Sequence, residues 1–214
     1  KLSDQHFVLN AGIVVIRPRG AEGEPPRDGA PVRFEYPGGN TTEYGESRVT
    51  IPAGEITVKV TIGKGEASET FQLQAGRTVD KDIIVGVGRA VARVFYVPGM
   101  AVENRGVVTE IYKARKSIDG SRERMETNYQ PISEFDLPSG DYVALSRVDA
   151  AVAESPFTVA AGERVEVDVV VNAGVLAVTA PGAARIEIYD AKKDIQGNRV
   201  RVETAYQAEM QHTV

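Results

Sequence analysis

Residues 56–62 read Ile56-Thr57-Val58-Lys59-Val60-Thr61-Ile62, apolar and polar side chains alternating without a break. Successive side chains of a strand point to opposite faces, so a period of two marks a strand with one face in a core and one in water. Val165-Glu166-Val167-Asp168-Val169 has the same pattern. Turn signals separate such runs at short spacing: Pro37-Gly38-Gly39-Asn40, Asp119-Gly120, Pro138-Ser139-Gly140, Ala161-Gly162 and Gly197-Asn198. No window holds a helical stripe with caps. The chain is expected to be all-β.

The stretch around 56–62 also occurs twice. IPAGEITVKV begins at Ile51 and LPSGDYVALS at Leu137, 86 residues on. Ala75-Gly76 precedes RTVDKDIIVGVG and Ala161-Gly162 precedes ERVEVDVVVNAG at the same offset, and the opening KLSDQHFVLNAG fits that frame. A third block links residues 109–130, TEIYKARKSIDGSRERMETNYQ, to residues 186–207, IEIYDAKKDIQGNRVRVETAYQ, 77 apart. Three blocks in one order define a tandem array. Residues 1–10 read as the last strand of an upstream repeat, 11–86 and 87–172 as complete repeats, and 173–214 as a truncated one. The first repeat is about ten residues short, and the missing piece matches the hairpin KARKSIDGS. About seven short strands in each complete repeat make an immunoglobulin-sized antiparallel β-sandwich. Only Asn172-Ala173-Gly174 separates the second repeat from the third, a connection short enough to favour a stiff string over flexibly tethered modules.

The LPSG/IPAG block, a strand hairpin, and then Ala-Gly-Glu-x-Val-x-Val-x-Val resemble the transthyretin-like sandwiches, a group with the carboxypeptidase regulatory-like domains and the B-type repeats of collagen adhesins. Repeats ending in VLNAG or VVNAG resemble tandem sandwiches of bacterial cell-envelope proteins, some carrying a von Willebrand factor A domain. The resemblance implies a periplasmic or cell-surface setting. Adhesin repeats of that group often carry a Lys–Asn isopeptide bond. Asn10 and Asn172 are suitably late, but residues 13–17, 89–97 and 175–179 contain no Lys, so the bond is not expected and these Asn residues are read as strand ends.

Composition excludes more than it assigns. Of 214 residues, 25 are Lys or Arg and 30 Asp or Glu, a formal charge of −5, which argues against nucleic acid as a partner. With no Cys there is no disulfide, thiolate nucleophile or Cys-ligated metal. The two histidines, His6 and His212, are read as surface or packing residues. No apolar run approaches the roughly 20 residues of a membrane-spanning helix, and no secretory leader opens the chain. Its first residue is Lys, so it is read as an excerpt of a longer protein. Asp80 and Asp82 face one side of a strand but lie in no calcium loop, and are read as a solvated face. Gly63-Lys64-Gly65 lacks the Ser/Thr and helix of a phosphate loop and is read as a hairpin turn. No catalytic residue, cofactor or metal is expected, nor a concave pocket with converging polar groups.

One motif stands out. The hairpin of the second repeat carries Lys113, Arg115, Lys116, Arg122 and Arg124 against Asp119 and Glu123. That of the third carries Lys192, Lys193, Arg199 and Arg201 against Asp190 and Asp194. Two readings follow: edge protection, since charged hairpin edges stop sandwiches adding strands to one another, or contact with an anionic envelope polymer or acidic protein. Tyr112 and Tyr189, with Tyr129 and Tyr206, lie on the two arms and are expected to touch across the hairpin or at the core edge, an exposed sugar platform being the alternative. The function expected is non-catalytic: a spacer or interaction segment working with other domains of the same longer chain, or a binding module gripping through the basic tips. Residues 173–214 lack later strands, so they are expected to be poorly ordered or completed by strand exchange with another copy, for instance through residues 5–9.

Overall fold

The computed structural model describes residues 9–103 and 106–214, and every regular element among them is a β-strand. Most of the expected upstream strand (residues 1–8), with His6, lies outside the described residues. Seven strands come first: β1 (Ala11–Arg19), β2 (Pro31–Tyr36), β3 (Gly39–Tyr44), β4 (Ser47–Pro52), β5 (Gly54–Ile62), β6 (Gly65–Leu73) and β7 (Thr78–Ile84). Eight follow: β8 (Val87–Val97), β9 (Met100–Ala101), β10 (Val107–Lys116), β11 (Arg122–Asn128), β12 (Ile132–Pro138), β13 (Gly140–Val148), β14 (Ala151–Val159) and β15 (Arg164–Val170). The last four are β16 (Val175–Thr179), β17 (Ile186–Lys193), β18 (Arg199–Ala205) and β19 (Glu209–Thr213).

The first seven strands form a three-stranded sheet, β4-β1-β7, and a four-stranded sheet, β3-β2-β5-β6. The alternation at 56–62 does what its period requires: Ile56, Val58, Val60 and Ile62 are buried. They meet Val32 and Phe34 of β2, with Val14, Ile16, Ile51 and Ile83 from the other sheet closing the core. The following strands repeat the plan as β12-β8-β15 and β11-β10-β13-β14, with the short β9 added beside β8. The fold class is therefore a β-sandwich, as the pattern of the sequence implies. The β1–β7 pairing departs from the antiparallel expectation: these strands run parallel, Ile13 opposite Thr78 through Arg19 opposite Ile84. β7 arrives from the other sheet through the turn at residues 74–77 rather than by a hairpin, so nothing forces an antiparallel return.

The described residues condense into two compact units, residues 9–90, 134–141 and 158–165 in one, and residues 91–103, 106–133, 142–157 and 166–214 in the other. Within the first, the exit from β7 is fastened at several points. Val85 N donates to Arg19 O at 2.9 Å, and Gly86 N and Val87 N both donate to Gly20 O, at 2.9 and 3.0 Å. Lys64 N, in the β5–β6 turn, donates to Asp136 O at 3.0 Å, and Ser139 N donates to Gly86 O at 3.1 Å. Arg89 grips Asp136 through two hydrogen bonds of 3.0 and 3.1 Å, and Arg27 approaches the same carboxylate.

In the second unit, Val94, Val102, Val107, Val148, Val171 and Ala173 form a buried cluster. Residues 173–214 make two separate two-stranded ribbons, β16-β19 and β17-β18, and leave Val175, Val200 and Val202 exposed. Asn172 takes φ 52°, a left-handed conformation in keeping with its reading as a strand end.

Candidate functional site

The basic hairpins are β10–β11 and β17–β18. Their arms are not in continuous register. Tyr112 lies opposite Arg124 and Lys116 opposite Arg122, so residues 113–115 bulge against Glu123 alone. The other hairpin repeats this: Tyr189 lies opposite Arg201 and Lys193 opposite Arg199. The bulge opens the first hairpin into a shallow groove of about 950 Å³ lined by Lys113, Arg115, Lys116, Ile118, Arg122 and Glu123. Three residues facing one cannot lie flat in a ladder.

Charges at this hairpin fall into two groups. Lys113 pairs with Glu123 at 2.8 Å, Arg122 pairs with Glu154 of β14 at 3.0 Å, and Arg124 pairs with Glu110 at 2.9 Å. Arg115 and Lys116 carry no ion pair among the described residues. In the second hairpin Arg201 pairs with Glu187 at 3.4 Å, whereas Lys192, Lys193 and Arg199 carry none among the described residues. So neither expected basic cluster remains whole; each divides into internally neutralised and free cations.

Glu110 organises the neutralised group. It is buried, and Arg124 and Arg147 each hold one of its oxygens, at 2.9 and 3.1 Å. Burial pushes its carboxyl up, but Arg124, Tyr112 and Arg147 together outweigh this and hold it below the usual range. At the apex, Asp119 accepts from Ser117 Oγ at 2.6 Å, from Ser121 Oγ at 2.7 Å and from Ser121 N at 3.0 Å. The Ser117 and Ser121 hydroxyls pull its carboxyl down to about 2.

Two further readings change. Asp80 and Asp82 are not simply a solvated face: Arg17 of the neighbouring β1 binds both, and Arg19 binds Asp82 at 3.1 Å. Arg93 likewise binds Glu166 at 2.7 Å and Asp168 at 2.8 Å. The tyrosines do not stack across the hairpin; the ring pair among the described residues is Tyr142–Phe157, with centroids 5.7 Å apart. Tyr112 bonds Glu110 instead, and Tyr129 and Tyr206 are exposed. Strand register adds a third member, because Thr42-Glu43-Tyr44 on β3 occupies the place of Thr127-Asn128-Tyr129 and Thr204-Ala205-Tyr206. Tyr44, Tyr129 and Tyr206 are 69%, 70% and 78% exposed. His212 is buried, its Nδ1 3.7 Å from Glu203 and 3.9 Å from Asp149, a packing position. No group of three or more His, Cys, Asp or Glu among the described residues is arranged to hold a metal ion.

No family model matches the chain, and no curated protein matches it. Solved structures do resemble it. The TIE protein of Bacillus anthracis is 14% identical with a TM-score of 0.32, the match covering 96% of this chain and 43% of that one. A minor pilin of Streptococcus agalactiae is 14% identical with a TM-score of 0.33, covering 75% of this chain and 96% of that one. A shaft pilin of Lactobacillus rhamnosus GG is 10% identical with a TM-score of 0.37, covering 75% and 97%. The chain thus spans less than half the length of the first of these.

Proposed function

We propose that this chain is a non-catalytic structural spacer and interaction segment of a bacterial cell-envelope protein, periplasmic or surface-exposed. It is built of transthyretin-like repeats at 11–86 and 87–172, with a partial repeat at 173–214. The observation that carries the reading is the fastening of the β7 exit. Backbone bonds from Val85, Gly86 and Val87, the Lys64–Asp136 bond and the Arg89–Asp136 pair leave the chain no free linker there. A spacer needs that property, because a freely jointed connection transmits neither distance nor direction. The test is residual dipolar coupling. Couplings from residues 11–84 and 134–141 are expected to fit a single alignment tensor; two tensors of unequal magnitude would sink the spacer.

The free cations support a second reading, in which the tips engage an anionic partner. Among the described residues Arg115, Lys116, Lys192, Lys193 and Arg199 have no carboxylate in an ion pair with them, which edge protection alone does not require. A pull-down on envelope material across a salt series is expected to retain the chain at low salt and release it at high salt. Retention that ignores salt, or none at all, counts against this reading.

A further inference from the structure

The two hairpin tips share a feature beyond charge. Ser117-Ile118-Asp119-Gly120 and Asp194-Ile195-Gln196-Gly197 are equivalent tight turns. Gly120 N donates to Ser117 O and Gly197 N to Asp194 O, each at 3.0 Å, and both glycines take positive φ, 83° and 88°. Each turn places an isoleucine at its second position, and Ile118 and Ile195 are fully exposed. That position suits Pro or a small polar residue, and the β2–β3 turn has Pro37 there. A β-branched apolar side chain held in water at two equivalent apices is unfavourable unless something covers it.

Each turn is also braced by side-chain hydrogen bonds. Asp119 ties together Ser117 and Ser121, and Asp194 accepts from Gln196 N at 2.9 Å and Asn198 N at 2.8 Å. Behind the apices lie the free cations: Arg115 and Lys116 on one hairpin, Lys192, Lys193 and Arg199 on the other. An apolar point with cations behind it matches a surface that is apolar beneath and anionic on top. We propose that the two hairpin tips dock on an anionic phospholipid bilayer, the isoleucines entering the headgroup–acyl boundary and the cations meeting lipid phosphates. A soluble polyanion offers the cations the same charge but gives the isoleucines nothing to enter. This inference rests on the reading of the tips as contacts for an anionic partner and adds the identity of that partner.

The test is flotation of the whole chain with vesicles of phosphatidylcholine, with and without phosphatidylglycerol, beside retention on a polyphosphate column. The native chain is expected to float only with the phosphatidylglycerol vesicles. Ile118→Ser with Ile195→Ser is expected to weaken binding about tenfold or more, and Ile118→Leu with Ile195→Leu to preserve it. Reversing Arg115, Lys116, Lys192 and Lys193 to Glu is expected to cost about fivefold per cation. All of these positions are exposed in turns or arms, so circular dichroism spectra and melting temperatures are expected to stay native. Vesicle binding that the serine variant leaves unchanged, or retention on polyphosphate without flotation, overturns the lipid proposal while the anionic-partner reading stands. Neither flotation nor retention overturns both.

Discussion

Thr109 Oγ1 and Ser146 Oγ share a 2.9 Å hydrogen bond inside a core, both residues being fully buried. They face each other across β10 and β13. The equivalent place between β2 and β5 is held by Val32 and Val60, also fully buried. The same fold thus solves one site twice, once with methyl groups and once with a mutually satisfied hydroxyl pair. Thr109→Val alone, or Ser146→Val alone, leaves one hydroxyl buried without a partner and is expected to cost about 1–3 kcal/mol. The double replacement Thr109→Val with Ser146→Val restores the Val32–Val60 arrangement and is expected to be neutral or stabilising. Urea unfolding of the three variants gives the coupling directly.

The repeated glycines differ in what surrounds them. A methyl group on Gly88 would collide with the Ala160 carbonyl and come within 2.9 Å of that of Glu163; on Gly12 it would meet the Arg77 and Gln74 carbonyls, both at 2.8 Å. Gly174 has nothing within 4 Å. Those carbonyls belong to the turns before β7 and β15. Gly12→Ala and Gly88→Ala are each expected to cost about 1–3 kcal/mol through overpacking, and Gly174→Ala to be silent. Thermal melts of the three variants check this.

Acid stability has a defined direction. Asp119 titrates near 2 against an ordinary 3.8, and Asp82 and Glu110 are also held low. A carboxyl whose folded value is depressed adds stability above its unfolded value and loses it as pH falls through the folded one. The melting temperature is therefore expected to decline from about pH 4 toward pH 2. Asp119→Asn is expected to lower it at neutral pH and to converge with the native chain at the acid end. A constant offset across the range would mean the carboxylate's charge is not what braces the turn.

Aromatic truncation separates surface from core. Tyr44, Tyr129 and Tyr206 are mostly in water, so each change to Ala is expected to fall within about 0.5 kcal/mol. Tyr142 is buried against Phe157, and Tyr142→Ala is expected to cost about 3–5 kcal/mol. Equal effects at Tyr129 and Tyr142 would contradict the packing described.

Periodicity carried the strand assignments because alternation such as that at 56–62 is a local signal, and so were the turn glycines and the recurring basic hairpin. What escaped was set by partners distant in sequence. Arg17 finds Asp80 and Asp82 only because β7 runs parallel beside β1, and Arg122 finds Glu154 from another strand of its sheet. The bulge at 113–115 contains no Gly or Pro, so nothing marks it locally. Tyr44 stayed hidden because the shorter first hairpin shifts it out of alignment with Tyr129, and only strand register brings the two together.

The spacer reading stands or falls on the fastening of the β7 exit. Because the chain has no Cys, spin labels can be placed at Ser68→Cys and Glu163→Cys alone. Double electron–electron resonance is expected to give one narrow distance distribution, which broadens when Arg89→Ala and Asp136→Ala are added. A broad or multiple distribution in the labelled chain without those changes would contradict the account.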